Sequence, residues 1–414
     1  MNTAWRLSTG SILCAALCTA ALVSGGAWAD EADGAKVAPE VVNITGARVA
    51  STGKECIYMN LASLRLKSVD GLLTARGDIN GKDESMIIDT GRLHSLLTLD
   101  EAKRLSLSLA HANAESKVSY AVYVDDVALD KYFWHKLVLG VVDDTPAPPY
   151  GLRAGADILL NGLNKDVELS VPEGQMKIFV PSNCEDAFLG YWNKDASTVA
   201  LVDLSTADPR QILTVRINGK EMTAMIDTGS PISMITLKAA ERAGVTPASE
   251  GVSELQSGFV PGRQNGKVWH ASFNTFSVGN EVIQHPDIAI ADIWGTPEAP
   301  KGDSLASMRL IGLAPTMVGA KDFRAEPSTE GVTSVTRVNT QATAPVVQPD
   351  MLLGADFLRS HRVLLAISQR KMYFTYVGGK VFGNVGEKKT TTAPLGAVTQ
   401  PLASLSATMY QPEN

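Results

Sequence analysis

Positive charge is scarce in this chain, and so are cysteine, aromatic residues and long apolar runs. Across 414 residues there are 37 Lys and Arg against 44 Asp and Glu, a formal net charge of −7. That balance argues against the basic patch or stripe that nucleic-acid binding requires. A mildly acidic surface serves solubility instead. The six histidines include no H-E-x-x-H or paired metal spacing, so no metal site is expected. There is no G-x-S-x-G elbow, P-loop or dinucleotide fingerprint. Serine-hydrolase, nucleotide-hydrolysing and dinucleotide chemistries are therefore disfavoured, and no cofactor is expected. Beyond Val23 no apolar segment is long enough for a membrane helix.

The four cysteines fall into two pairs. Cys14 and Cys18 lie in a segment that reads as an export signal over 1–29. Arg6 supplies a positive n-region, Ile12 to Val23 is apolar, and Ala27-Trp28-Ala29 gives a small-x-small cleavage pattern before Asp30. Neither cysteine follows a small residue, so lipid anchoring is not expected. The mature chain is expected to be soluble, periplasmic or secreted, with no membrane span after signal removal. It keeps Cys56 and Cys184, which in an oxidising compartment read as one disulfide; the alternative is two buried thiols.

At 45% apolar and 20% charged residues the chain is globular in composition, and its length suits two domains plus ends. An internal repeat supplies those domains. Ile79-Asn80-Gly81-Lys82 recurs as Ile217-Asn218-Gly219-Lys220, a shift of 217 − 79 = 138. At the same shift Asp89-Thr90-Gly91 falls on Asp227-Thr228-Gly229, Ser95 on Ser233, Thr98-Leu99 on Thr236-Leu237, Ala102 on Ala240 and Arg104 on Arg242. With insertions, Gly155-Ala156-Asp157-Ile158-Leu159 then matches Gly354-Ala355-Asp356-Phe357-Leu358. Each Asn-Gly predicts a tight hairpin. The apolar runs Met86-Ile87-Ile88 and Met225-Ile226 predict buried strands that deliver an Asp to a turn. Short helices follow: Thr98 and Glu101 form a T-x-x-E capping box in the first half, and Thr236 caps in the second, with Gly244 near the stop.

Asp-Thr-Gly after an apolar strand, followed by Ser, a hydrophobic residue and a short helix, resembles the aspartic peptidase superfamily. Leu352-Leu353-Gly354-Ala355-Asp356-Phe357-Leu358 resembles that family's hydrophobic-hydrophobic-Gly element beneath the catalytic loop. The closest type is the bacterial retropepsin-like group, duplicated in tandem into a pepsin-like, two-lobed pseudo-dimer. The resemblance implies an all-β fold with few short helices, two homologous β-barrel lobes related by a pseudo-two-fold axis. The expected divisions are a leader or prosegment over 30–54, an N-terminal lobe over 55–184 and a C-terminal lobe over 185–377. The second lobe carries an insertion at about 293–349, and a flexible tail follows over 378–414.

The same resemblance implies an aspartic endopeptidase that hydrolyses polypeptide substrates as a monomer. Asp89 and Asp227 would form the dyad, since amide hydrolysis needs one group to activate water and another to protonate the leaving amine. Thr90 and Thr228 would bond across the interlobe loops, and Gly91 and Gly229 would let backbone N–H groups approach the carboxylates, with Ser230 completing the support. A flap is expected in the longer interval of the second half, at Gly258-Phe259-Val260-Pro261-Gly262, where the alternative is an ordinary surface hairpin. Two residues depart from the pattern. Arg92 stands where the second half has Ser230, and if it faces the dyad it favours ionised carboxylates over a shared proton. Arg153-Ala154-Gly155 stands where the second half has Leu352-Leu353-Gly354, and burying that arginine is costly. These departures favour the alternative of a catalytically inactive peptide-binding protein on the same fold. A further alternative has the second lobe dimerise between chains.

Overall fold

In each half an Asn-Gly hairpin precedes the Asp-Thr-Gly turn, and its backbone shows why those residues recur. Asn80 and Gly81 have φ of 51° and 76°, and Asn218 and Gly219 have 50° and 76°. A two-residue turn of this type needs positive φ at both central positions, which Asn and Gly adopt at least cost. Each Asn also ties its turn to a neighbouring hairpin: Asn80 Oδ1 accepts from Asp126 N at 2.9 Å, and Asn218 Oδ1 from Asn274 N at 2.7 Å.

The computed structural model describes residues 55–69, 71–111, 120–142, 150–160, 165–203, 208–255, 267–294 and 347–383, plus the backbone of 40–42, 325–326 and 334–335. The signal segment, the expected flap and most of the leader, insertion and tail lie outside the described residues.

The fold is mostly β, arranged as two barrel-like lobes. The first lobe holds eight strands among the described residues, and Leu72–Ile79 also pairs Tyr120–Leu129 so that the sheet curls closed. The second holds nine, from Ser253–Glu254 at one edge to Glu281–Gln284 at the other. In both, one short strand is threaded between two earlier ones. Leu152–Ala154 runs parallel to Lys82–Ile88 and antiparallel to Leu96–Thr98. Met351–Leu353 does the same between Lys220–Ile226 and Met234–Thr236. The glycine that ends each threaded strand is sterically required. A Cβ at Gly155 would lie 2.7 Å from the His94 carbonyl carbon, and one at Gly354 would lie 2.6 Å from that of Ile232.

The closing strands of the halves do not stay in their own lobes. Asp166–Ser170 and His361–Ala366 pair antiparallel and join the lobes in a third sheet. Glu168 pairs Leu364, and the short helical turns that follow begin at Val171 and Ile367. Since 367 − 171 = 364 − 168 = 196, Glu168 faces its own counterpart, so the two-fold relation between lobes passes through that pair. Glu40–Val42 adds to one edge of this sheet against Tyr58–Asn60. Cys56 and Cys184 form a disulfide across a separation of 128 residues, beside the stacked rings of Tyr58 and Phe179.

Helix α1 (Leu99–Arg104) starts at Thr98, whose hydroxyl accepts from Glu101 N at 3.1 Å. The reciprocal half of the expected capping box does not form. Thr98 N already donates to Gly151 O at 3.1 Å, leaving the Glu101 carboxylate to pair with Arg104. Helix α2 spans Ala156–Leu159. Helix α3 (Leu237–Arg242) is capped by Thr236 as read, through Ala239 N, and Gly244 follows it with φ of 83°. Helix α4 spans Ala355–Leu358. Phe357 packs with Phe276, Phe374 and Phe382, so the chain contributes to the second lobe's core as far as Phe382.

Candidate active site

Asp89 and Asp227 sit at the ends of equivalent strands and are fully buried. Each is anchored from behind by a threaded strand: Asp89 N donates to Ala154 O at 2.9 Å, and Asp227 N to Leu353 O at 3.0 Å. The two turns then interlock. Thr90 N donates to Thr228 Oγ1 at 2.9 Å, and Thr90 Oγ1 donates to Ile226 O at 2.9 Å. In reverse, Thr228 N donates to Thr90 Oγ1 at 3.1 Å, and Thr228 Oγ1 to Ile88 O at 2.6 Å. Four buried bonds, each made by one of the two threonine hydroxyls, therefore hold the loops of opposite lobes in one geometry.

The glycines explain how the carboxylates come so near the opposite backbone. A Cβ on Gly91 would lie 2.2 Å from Asp227 Cγ, and a Cβ on Gly229 would lie 2.2 Å from Asp89 Cγ. Any side chain there would overlap the opposing carboxylate, so only glycine permits the approach. Gly229 N donates to Asp227 Oδ1 at 3.0 Å within one turn.

Beneath the turns lies a second duplicated arrangement whose role the sequence reading did not assign. Ser95 Oγ donates to Asp157 Oδ1 at 2.6 Å and accepts from Gly155 N at 2.8 Å. Ser233 Oγ likewise donates to Asp356 Oδ1 at 2.6 Å and accepts from Gly354 N at 2.9 Å. The serine of each post-motif loop is thereby clamped to the helix after each threaded strand. Ala156 N bonds Arg92 O at 2.7 Å, and Ala355 N bonds Ser230 O at 2.8 Å, closing the same junction through the backbone. The signal was available, since both serines and both aspartates recur in the repeat. Burial raises the Asp356 carboxyl to about 6, against opposing hydrogen bonds from Ser233 and Phe357.

The lobes differ at the two arginines. Ser230 Oγ turns back to Ile232 O at 2.7 Å within its own loop. Arg92, its counterpart, is buried with Nε 3.5 Å from Asp89 Oδ2. Arg153 Nη1 donates to the same oxygen at 2.9 Å. Both departures from the pattern therefore converge on Asp89. His/Cys/Asp/Glu groups suited to a metal ion are absent among the described residues. No helix there is long and apolar enough to cross a membrane.

No curated protein matches the chain. Among solved structures, the aspartic proteinase from Irpex lacteus is similar at 9% identity with a TM-score of 0.39, covering 76% of this chain and 97% of that one. Residues 213–357, the part of the second lobe that carries Asp227, match the aspartyl protease family, consistent with the retropepsin-like resemblance read from the motifs.

Proposed function

We propose that this protein is an aspartic-type endopeptidase in which Asp89 and Asp227 act together on one water molecule. The observation that carries the reading is the interlock at Thr90 and Thr228, with each glycine set against the opposite carboxylate. Two carboxylates held this way do different work: the ionised one removes a proton from water and later gives it to the leaving amine, while the protonated one lends its proton to the carbonyl oxygen and regains it when the tetrahedral intermediate collapses. Their titration belongs to the pair. Because one chain supplies both, a monomer suffices. An extended polypeptide is the substrate class, lying across the junction of the lobes, and no cofactor takes part. Export, as periplasmic or secreted protein, is in keeping with the Cys56–Cys184 bridge.

The test is cleavage of reduced, carboxymethylated casein between pH 3 and 8 by the mature chain and its Asp89→Asn and Asp227→Asn variants. Loss of cleavage in both variants supports the pair. Cleavage that survives Asp227→Asn rules the assignment out, and cleavage that survives only Asp89→Asn points to a dimer of second lobes. A second reading, a peptide-binding protein without turnover, is favoured by the guanidinium contacts on Asp89. It predicts peptide binding with no cleavage at any pH.

A further inference from the structure

His361 is fully buried at the start of the strand His361–Ala366 in the second lobe. Its ring stacks on Phe357, with centroids 4.0 Å apart and planes inclined by 16°. The two ring nitrogens face different partners: Nδ1 lies 2.8 Å from Phe357 O, and Nε2 lies 2.9 Å from Glu281 Oε1. A carbonyl oxygen only accepts, so Nδ1 carries a hydrogen and donates it. The contact at Nε2 then needs one more proton. Either a doubly protonated ring donates to an ionised Glu281, or a protonated Glu281 donates to a neutral ring. In both arrangements the bond to Phe357 O is the same, and Glu281 fixes the ring that makes it.

The first lobe has an equivalent tie with other chemistry. Val278 pairs Glu281 across a tight hairpin as Leu129 pairs Tyr132, and the residues that follow, Gly279 and Asp130, have φ of 57° and 55°. Glu281 therefore corresponds to Tyr132. In the sheet that joins the lobes Glu168 pairs its counterpart Leu364, so Lys165 corresponds to His361, since 361 − 165 = 364 − 168. Lys165 Nζ lies 4.3 Å from the centre of the Tyr132 ring. Each lobe thus ties this hairpin to the strand that enters the joining sheet. In the second lobe the tie also reaches Phe357 O, in α4.

Helix α4 holds the turn that carries Asp227 from behind. Ala355 N donates to Ser230 O at 2.8 Å, Asp356 Oδ1 accepts from Ser233 Oγ at 2.6 Å, and Leu353 O, just ahead of the helix, accepts from Asp227 N at 3.0 Å. A helix of one turn has little rigidity of its own, and its last carbonyls need partners outside it. Ser360 N and Oγ give Phe357 O local bonds at 3.2 and 2.9 Å; His361 gives it the bond whose ring is anchored on another element. We infer that His361 is a positioning residue for Asp227, acting through α4 with Glu281 as its anchor. Rate is sensitive to such support, because a displacement of about 1 Å at a reacting group costs about 100-fold. The inference rests on the peptidase reading for that rate, while the support itself is measurable without turnover.

The experiment compares the mature wild-type chain with His361→Phe, which keeps the ring stack and removes both bonds, with Glu281→Ala, and with Glu281→Gln, whose amide donates to a neutral ring and so keeps the arrangement. On one peptide from the casein digest, His361→Phe and Glu281→Ala are expected to lower kcat about 10-fold or more with KM changed less than about 2-fold, and Glu281→Gln to stay within about 2-fold of wild type. Amide hydrogen exchange, read by mass spectrometry, is followed at residues 354–358 and, as internal reference, at the matched 155–159. The first two variants are expected to speed exchange at 354–358 about 10-fold and to leave 155–159 unchanged. Should His361→Phe fail to fold, the two Glu281 variants carry the comparison. Unchanged exchange at 354–358, equal acceleration of both segments, or a Glu281→Gln chain as impaired as Glu281→Ala overturns the inference. So does a normal kcat, or a change confined to KM, in a chain whose exchange at 354–358 is faster. Faster exchange confined to 354–358, with no cleavage by wild type, supports the tie to the Asp227 turn and defeats the peptidase reading instead.

Discussion

Replacing Asp356 by asparagine separates the electrostatics of the support beneath the site from its geometry. Asp356 is 4% exposed, and burial raises its carboxyl from 3.8 to about 6. Its Oδ1 accepts from Ser233 Oγ at 2.6 Å and from Phe357 N at 2.8 Å, bonds that an asparagine oxygen also accepts. In the unfolded chain this group loses its proton near pH 4; in the folded chain it holds the proton to about pH 6. Below pH 4 both states are protonated and the group contributes no pH dependence. Between pH 4 and 6 the unfolded state ionises first, so stability falls as pH rises, and above 6 the loss levels off. A shift of about two units corresponds to about 3 kcal/mol, an upper figure for one buried group. Urea unfolding from pH 4 to 7, followed by tryptophan fluorescence, reads this loss. Asp356→Asn should remove up to about 3 kcal/mol of the decline and leave the part due to Asp166, which burial also raises to about 6. Parallel stability curves for wild type and variant would refute the argument that Asp356 is neutral at acid pH.

Four further outcomes are expected. Thr228→Val keeps the shape of the side chain but leaves Thr90 N and Ile88 O without their partners, so it should cost about 1–3 kcal/mol in chemical unfolding, with cleavage of casein reduced. Gly229→Ala places a methyl group 2.2 Å from Asp89 Cγ and should lower kcat/KM about 100-fold or more through displacement of that carboxylate. Gly219→Ala, where φ is 76° and a Cβ meets nothing within 4 Å, should cost only about 1–2 kcal/mol of stability and spare cleavage. Cys56→Ser with Cys184→Ser opens a loop of 128 residues and should lower stability by up to about 5 kcal/mol, read as a fall in Tm that reducing agent reproduces in wild type.

Much of this molecule follows from local chemistry that repeats along the chain. The Asn-Gly turns require positive φ, the Thr caps satisfy helix-end N–H groups, and the apolar runs before each Asp-Thr-Gly have to be buried. Those constraints act within a few residues, so they are legible in one dimension, and their recurrence at a fixed shift disclosed the two lobes. Glu101 shows the limit of that reading. Its capping role was lost because Gly151, distant in sequence, reached Thr98 N first. The Ser–Asp clamps were visible as identities but not as contacts, because each joins segments separated by 62 or 123 residues. The arginines are the clearest case. As a sequence, Arg92 and Arg153 were two unrelated departures from a pattern. Folding brings both to one oxygen of Asp89, since the threaded strand that carries Arg153 passes directly behind the turn that carries Arg92. Residue types and their periodicity settled what each segment forms; which charges meet at Asp89 was decided by the path of the chain between them.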